Sequence, residues 1–106
     1  MKTKSVSAAL LVLASALAVD AAWAGSHEVK IQGFQFQPAK LQVAVGDTIT
    51  WTNADGMPHT VTSKAAGVES DAIAPGGKWT YTVKSKGDID YACRFHPSMK
   101  GAVSAK

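Results

Sequence analysis

From His27 onward, apolar and polar residues alternate with a period of two over most of the chain. Val29 and Ile31 alternate with polar neighbours up to Gly33, and Phe34 and Phe36 resume the pattern before Pro38. Leu41, Val43 and Val45 run on to Gly46-Asp47, and Ile49 and Trp51 follow within residues 48–53. Ala54-Asp55-Gly56 reads as a turn, and Thr60-Val61-Thr62 as a short β-branched strand. Residues 64–77 are rich in Ala, Gly and Ser, which predicts an irregular segment. Trp79, Tyr81 and Val83 then alternate with polar residues, Ile89 and Tyr91 share a face, and Ala102-Val103 follows Gly101. Alternation of this kind marks strands with one buried face. Seven or eight short strands separated by turns, with no helical period, predict an all-β sandwich. The alternating apolar residues from Ile31 to Tyr91 form the expected core, Phe34 and Val45 among them.

The first residues follow another rule. Met1-Lys2-Thr3-Lys4 is basic, residues 6–19 are apolar and uncharged, and Ala22-Trp23-Ala24 has the small-x-small form of a cleavage site. An apolar run of 14 residues is short of the ~20 that cross a bilayer, so it predicts a secretory signal peptide; an uncleaved anchor is the alternative. The expected division is a leader over residues 1–24 and a domain over 25–106, exported to the periplasm without stable membrane insertion.

Export changes how charge and cysteine are read. Without the leader, nine basic side chains stand against seven acidic ones, a net charge of +2. That mild, dispersed charge does not suggest a nucleic-acid partner, which asks for a clustered basic face. Small exported domains commonly add disulfides, but this chain has one cysteine, Cys93. A lone thiol in an oxidising compartment calls for an explanation, and ligation to a metal supplies one.

Cys93 opens the run Cys93-Arg94-Phe95-His96-Pro97-Ser98-Met99, and His59 stands upstream in Met57-Pro58-His59. One thiolate, two imidazoles and a thioether are the ligand set of a blue-copper centre: a trigonal His2Cys plane with a weak axial Met. A tight loop can aim Cys93, His96 and Met99 at one atom, and His59 must then arrive from a second loop. Each residue taken singly has an ordinary structural explanation; the ordered set does not.

With those residues in view, the chain resembles the cupredoxins, the small blue-copper proteins. Phe34-x-Phe36-x-Pro38, Leu41-x-Val43, Gly46-Asp47-Thr48 and Trp51-x-Asn53 are similar to the plastocyanin and pseudoazurin branch. Met57-Pro58-His59 and the short loop from Cys93 to Met99 are most similar to the amicyanin branch. The resemblance implies a Greek-key sandwich with copper at one end, one ion per chain. It places His59, Cys93 and His96 in the equatorial plane and Met99 axially. It also implies a monomeric one-electron carrier rather than an enzyme. Its partners would be redox proteins of dehydrogenase or cytochrome type, met through an apolar patch around His96. Two positions depart from the amicyanin pattern: Thr60 stands where Asn is usual, and Arg94 where Thr or Ser is usual. Those side chains tie the ligand loops; Thr60 can still offer its backbone N–H to the Cys93 sulfur and its hydroxyl across the gap, but Arg94 cannot repeat the same short tie, so a somewhat looser site is expected. The interval from His59 to Cys93 is also short, which predicts loss of part of one edge strand.

Three other readings stay open on the residues alone. The same fold could deliver or store copper. A Cys/His2 set could hold a catalytic zinc with an open position, although Met99 stands where water would bind and no carboxylate is spaced as an obvious base. Finally, cleavage after Ala24 would expose Gly25-Ser26-His27, whose amine, amides and imidazole can wrap Cu(II) in a square plane of nitrogens.

Overall fold

The computed structural model describes residues 24–106. The proposed leader and the basic and apolar runs within it lie outside the described residues, apart from Ala24. Nine strands and no helix occur among the described residues: β1 (Ser26–Ile31), β2 (Phe36–Gln37), β3 (Lys40–Val43), β4 (Thr48–Asn53), β5 (Thr62–Ser63), β6 (Val68–Glu69), β7 (Lys78–Thr82), β8 (Gly87–Ala92) and β9 (Lys100–Ala105). They form two sheets, ordered β2-β1-β4-β7 and β3-β9-β8-β5-β6. The expected all-β sandwich is present, with more and shorter strands than the alternation suggested. The segment 64–77 is not wholly irregular. It contains β6, and its Ile73 forms an isolated bridge with His59. β5 and β6 have two residues each, so this edge is abbreviated, as the short interval predicts.

Both sheets are mixed. β1 runs parallel to β4 and β3 parallel to β9, while β4–β7 and β8–β9 are antiparallel. Alternation along β4 places Ile49, Trp51 and Asn53 inward and leaves Thr48, Thr50 and Thr52 partly exposed. Val29, Ile31, Phe36, Val61, Val83 and Val103 complete the centre of the core. Trp51 Nε1 donates to the Tyr91 hydroxyl across the two sheets at 3.2 Å. Burial pushes the Tyr91 phenol up to about 12, against the pull of the Trp51 bond, so it stays a neutral acceptor. Phe36 and Trp51 both meet the Tyr91 ring edge-on, an arrangement that favours aromatic pairs beyond their buried area.

Two expected core residues lie outside it. Val45 is exposed because it sits in the turn between β3 and β4, past the last paired residue of β3. Phe34 is exposed because it is a central residue of the β1–β2 turn. Gln32 and Gln35 exchange backbone hydrogen bonds around that turn, and both Gly33 and Phe34 have positive φ, 65° and 57°. This is the geometry of a tight two-residue hairpin turn. A left-handed conformation costs a non-glycine residue roughly 1–2 kcal/mol, so something must hold Phe34 there. Conversely, Met99, Cys93, Ile73 and Val68 are buried. They lie in loops or short edge strands, where alternation gives no signal.

The Tyr91 ring lies directly over Gly101, and a Cβ there would overlap the ring carbons. Gly101→Ala is therefore expected to destabilise the domain by about 1–3 kcal/mol or more through overpacking. Chemical unfolding would show this as a lower midpoint at an unchanged slope.

A candidate copper site between two loops

The loop from Cys93 to Met99 leaves β8 and returns as β9. Its ends are pinned by backbone bonds: Cys93 N–H donates to Met99 O at 3.0 Å, His96 N–H to Cys93 O at 3.2 Å, and Met99 N–H to His96 O at 2.9 Å. This curl forces residues three apart onto one side. Cys93 and Met99 are buried and His96 is half-buried. The second loop follows β4. Asn53, fully buried, donates its side-chain amide to Met57 O and Ile73 O, each at 2.8 Å, and accepts from Asp55 N–H at 2.9 Å. Its end, His59, exchanges backbone bonds with Ile73.

The two loops bring three donors face to face. Nδ1 of His59 and Nδ1 of His96 each lie 3.7 Å from Cys93 Sγ, and all three atoms fall within 4.8 Å of one another. Two donors bonded at roughly 2.0–2.3 Å and spread about 120° around one ion stand roughly 3.5–4 Å apart. The side chains therefore fit a single metal ion, and a thiolate with two imidazoles suits copper. The structure brings together His59, Cys93 and His96 as the sequence predicted. It places Met99 at the buried end of the same loop.

Thr60 makes the contacts expected of it, and the tie expected to fail at Arg94 is made by that residue's backbone. Thr60 N–H points at Cys93 Sγ at 3.4 Å, and Arg94 N–H donates to Thr60 Oγ1 at 2.8 Å. The Arg94 side chain is not needed; its backbone reaches the hydroxyl. The Thr60 hydroxyl is itself steadied by Thr62 Oγ1 at 2.9 Å. The Arg94 guanidinium lies instead over the Phe95 ring, 5.4 Å from its centre.

Sequence reasoning missed Asp55, which it read only as a turn residue. Its Oδ2 lies 2.8 Å from His59 Nε2, and its two oxygens also accept from Gly33 N–H at 2.7 Å and Phe34 N–H at 3.0 Å. Burial pushes the Asp55 carboxyl up, but the Phe34 and Gly33 amides and His59 outweigh it and hold the acid below its ordinary value. The ionised carboxylate fixes the His59 tautomer: Nε2 carries the proton, and the bare Nδ1 faces the sulfur. The same carboxylate clamps the strained β1–β2 turn. That turn sets the Phe34 ring edge-on to both imidazoles, with centres 5.2 Å from His59 and 4.9 Å from His96. The only sequence signal available was an acid four residues before a histidine, a spacing too common to mark a site.

Gly25-Ser26-His27 leads into β1, where residues 26–31 extend beside β4 and the His27 ring bonds Asp47, so in this structure the amides and the imidazole do not converge on one point.

Comparison with known proteins agrees with the geometry. Residues 23–106 match the family described as copper binding proteins, plastocyanin/azurin family. The chain is 44% identical over 103 residues to amicyanin-alpha of Methylorubrum extorquens, spanning 92% of this chain and 87% of that protein. It is 36% identical over 85 residues to amicyanin of Paracoccus denitrificans, spanning 74% of this chain and 64% of that protein. Among solved structures, an oxidised amicyanin variant superposes with a TM-score of 0.72 at 32% identity, covering 81% of this chain and 88% of the other. A Cu(I) form of another amicyanin variant superposes with a TM-score of 0.72 at 29% identity, covering 79% and 85%.

Removing the Asp55 carboxylate should loosen both the histidine and the turn. Asp55→Ala leaves a buried donor unpaired, at a cost of about 1–3 kcal/mol, and loss of such an outer partner typically weakens metal binding 10–100-fold. Lower thermal stability of the copper-free protein, with faster copper loss to a chelator, is the expected result. Unchanged values for both would show that Asp55 is dispensable.

Proposed function

Because the chain belongs to the plastocyanin/azurin family of copper-binding proteins, we infer that it is a one-electron carrier with a single blue-copper centre, and not an enzyme. His59, Cys93 and His96, with Met99 from the end of the same loop, would hold the copper. The observation that carries this reading is the pair of 3.7 Å approaches of two imidazole nitrogens to one buried sulfur.

Copper supplies the one-electron couple when bound. The chain's own residues keep the donors in place through each change of charge. Thr60 N–H holds the Cys93 sulfur, and Asp55 anchors His59 from the far side of its ring. The burial of Cys93 and His59 keeps water from the sulfur. His96 is half-buried and lies nearest the surface of the three, so its ring edge is the natural exit for an electron.

Around that edge Phe34, Met57 and Phe95 are 45–48% exposed. Large exposed apolar side chains grouped together mark a contact surface. We read this face as the docking site for redox proteins of dehydrogenase or cytochrome type. Arg94 stacks on Phe95, and Lys100 borders a surface hollow shared with Phe34 and Ser98. Their charges favour an acidic partner in a small, transient contact. Export to the periplasm, with cleavage after Ala24, completes the reading; no helix among the described residues is long and apolar enough to cross a membrane.

The zinc-hydrolase alternative lacks a base. Asp55 faces the outer nitrogen of His59, and its oxygens already accept three bonds. The copper-delivery alternative asks for ligands that release easily, whereas His59 is fully buried and the loops are tied.

Titrating the exported protein with Cu(II) should produce an intense thiolate-to-copper absorption that saturates at one equivalent and is lost in Cys93→Ala. A weak band that survives this substitution would overturn the site. Electron transfer to an acidic partner should slow as salt rises, and a rate that is flat across ionic strength would remove Arg94 and Lys100 from steering.

A further inference from the structure

Away from the loops that carry the metal donors, Asp47 makes three hydrogen bonds, two to the start of β1 and one within the β3–β4 turn. Its Oδ1 accepts from Gly25 N–H at 2.7 Å. Its Oδ2 accepts from Ala44 N–H at 2.9 Å and lies 2.9 Å from His27 Nε2. The residue is buried, 7% exposed. The Ala44 amide, then the His27 imidazole and the Gly25 amide, hold its carboxyl down to about 2. The group is thus an ionised carboxylate largely withdrawn from water and faced by no full charge unless His27 is protonated. Gly25 is fixed on both sides, because its own carbonyl accepts from Thr48 N–H at 3.0 Å. Glycine also suits the position sterically. A Cβ there would stand 3.1–3.3 Å from the carboxylate atoms, which are themselves pinned.

We propose that Asp47 is the receptor for the α-ammonium group of Gly25, created when the leader is removed after Ala24. The proposal rests on the processing site given above. Water, with a leader peptidase of the export machinery, hydrolyses the Ala24–Gly25 peptide bond. Ala24 leaves with the new carboxylate, and Gly25 keeps its nitrogen as an ammonium; nothing is oxidised or reduced. The nitrogen already lies 2.7 Å from Oδ1, so no rearrangement is needed. A neutral donor with one proton becomes a cation with three, so a bond already assisted by the carboxylate's charge gains the attraction between two full opposite charges. The gain acts at a junction of the fold. Gly46 N–H donates to Val83 O and Val83 N–H to Asp47 O, each at 2.8 Å, so the same turn joins β1 to the end of β7. Cleavage thereby strengthens the closure of the domain after export. Other charged residues on segments packed against this turn include Glu28, next to His27, Lys84, next to Val83, and Lys106, whose backbone bonds Val45.

The test uses the exported, copper-loaded protein. Mass spectrometry should give Gly25 as the first residue. Its amine should react with an acylating reagent at pH 7 about tenfold more slowly than an ordinary chain terminus, because the carboxylate holds it in the unreactive ammonium form. A chain carrying one extra residue before Gly25 should melt several degrees lower. In an Asp47→Asn background the amine should regain ordinary reactivity and the extension should cost nothing. If that variant does not fold, the reactivity and the extension in the native background decide. A different first residue overturns the processing site and the receptor together. Gly25 as first residue, with ordinary reactivity and no effect of the extension, overturns the receptor alone and leaves the copper reading untouched.

Discussion

The site depends on one closure between two loops that no covalent bond joins. Thr60 N–H reaches Cys93 Sγ at 3.4 Å, and Arg94 N–H reaches the Thr60 hydroxyl at 2.8 Å. With these two bonds in place, the thiol and the two imidazoles are held facing one another. A carrier benefits from such preorganisation, because a site that moves little between charge states has little to reorganise during transfer. The side chains at Thr60 and Arg94 differ from the amicyanin pattern, yet the closure survives because the backbone supplies half of it.

Asp55 extends the constraint outward. One carboxylate orients His59, holds the Gly33–Phe34 turn and so sets the Phe34 ring against both imidazoles. Phe34 occupies a position that glycine would fill at lower cost, with φ of 57°. Strain of this kind persists where the surroundings over-determine it, and it gathers at functional sites. Here it holds a large aromatic ring at the mouth of the site, where that ring belongs both to the ligand environment and to the exposed apolar face.

The scaffold behind the site is small and has no disulfide, its lone Cys93 being one of the three facing donors. Specific polar anchors take over that role. The Trp51–Tyr91 bond crosses the core, Asn53 fastens the His59 loop to Ile73, and Asp47 gathers β1 and the β3–β4 turn. All are satisfied: no buried side-chain nitrogen or oxygen among the described residues lacks a partner. In a domain of this size, a few fully paired polar groups can specify the register of short strands that hydrophobic burial alone would leave loose.

Alternation along the chain determined the all-β class and most of the core, because a strand with one face buried must repeat every two residues. The order of His59, Cys93, His96 and Met99 pointed to a metal site, because so few chemistries need those side chains at that spacing, and the fold brings the first three together. Tertiary structure alone decided the rest. Phe34 and Val45 carry apolar side chains in phase with their strands, yet both lie in turns, and a turn overrides the phase. Asp55 and Asp47 look like ordinary turn acids until the fold brings them amides and imidazoles from residues 20 to 22 positions away. Thr60's part in the tie was legible, but Arg94's part was hidden because it runs through a backbone N–H, which every residue but proline carries and no sequence pattern can mark.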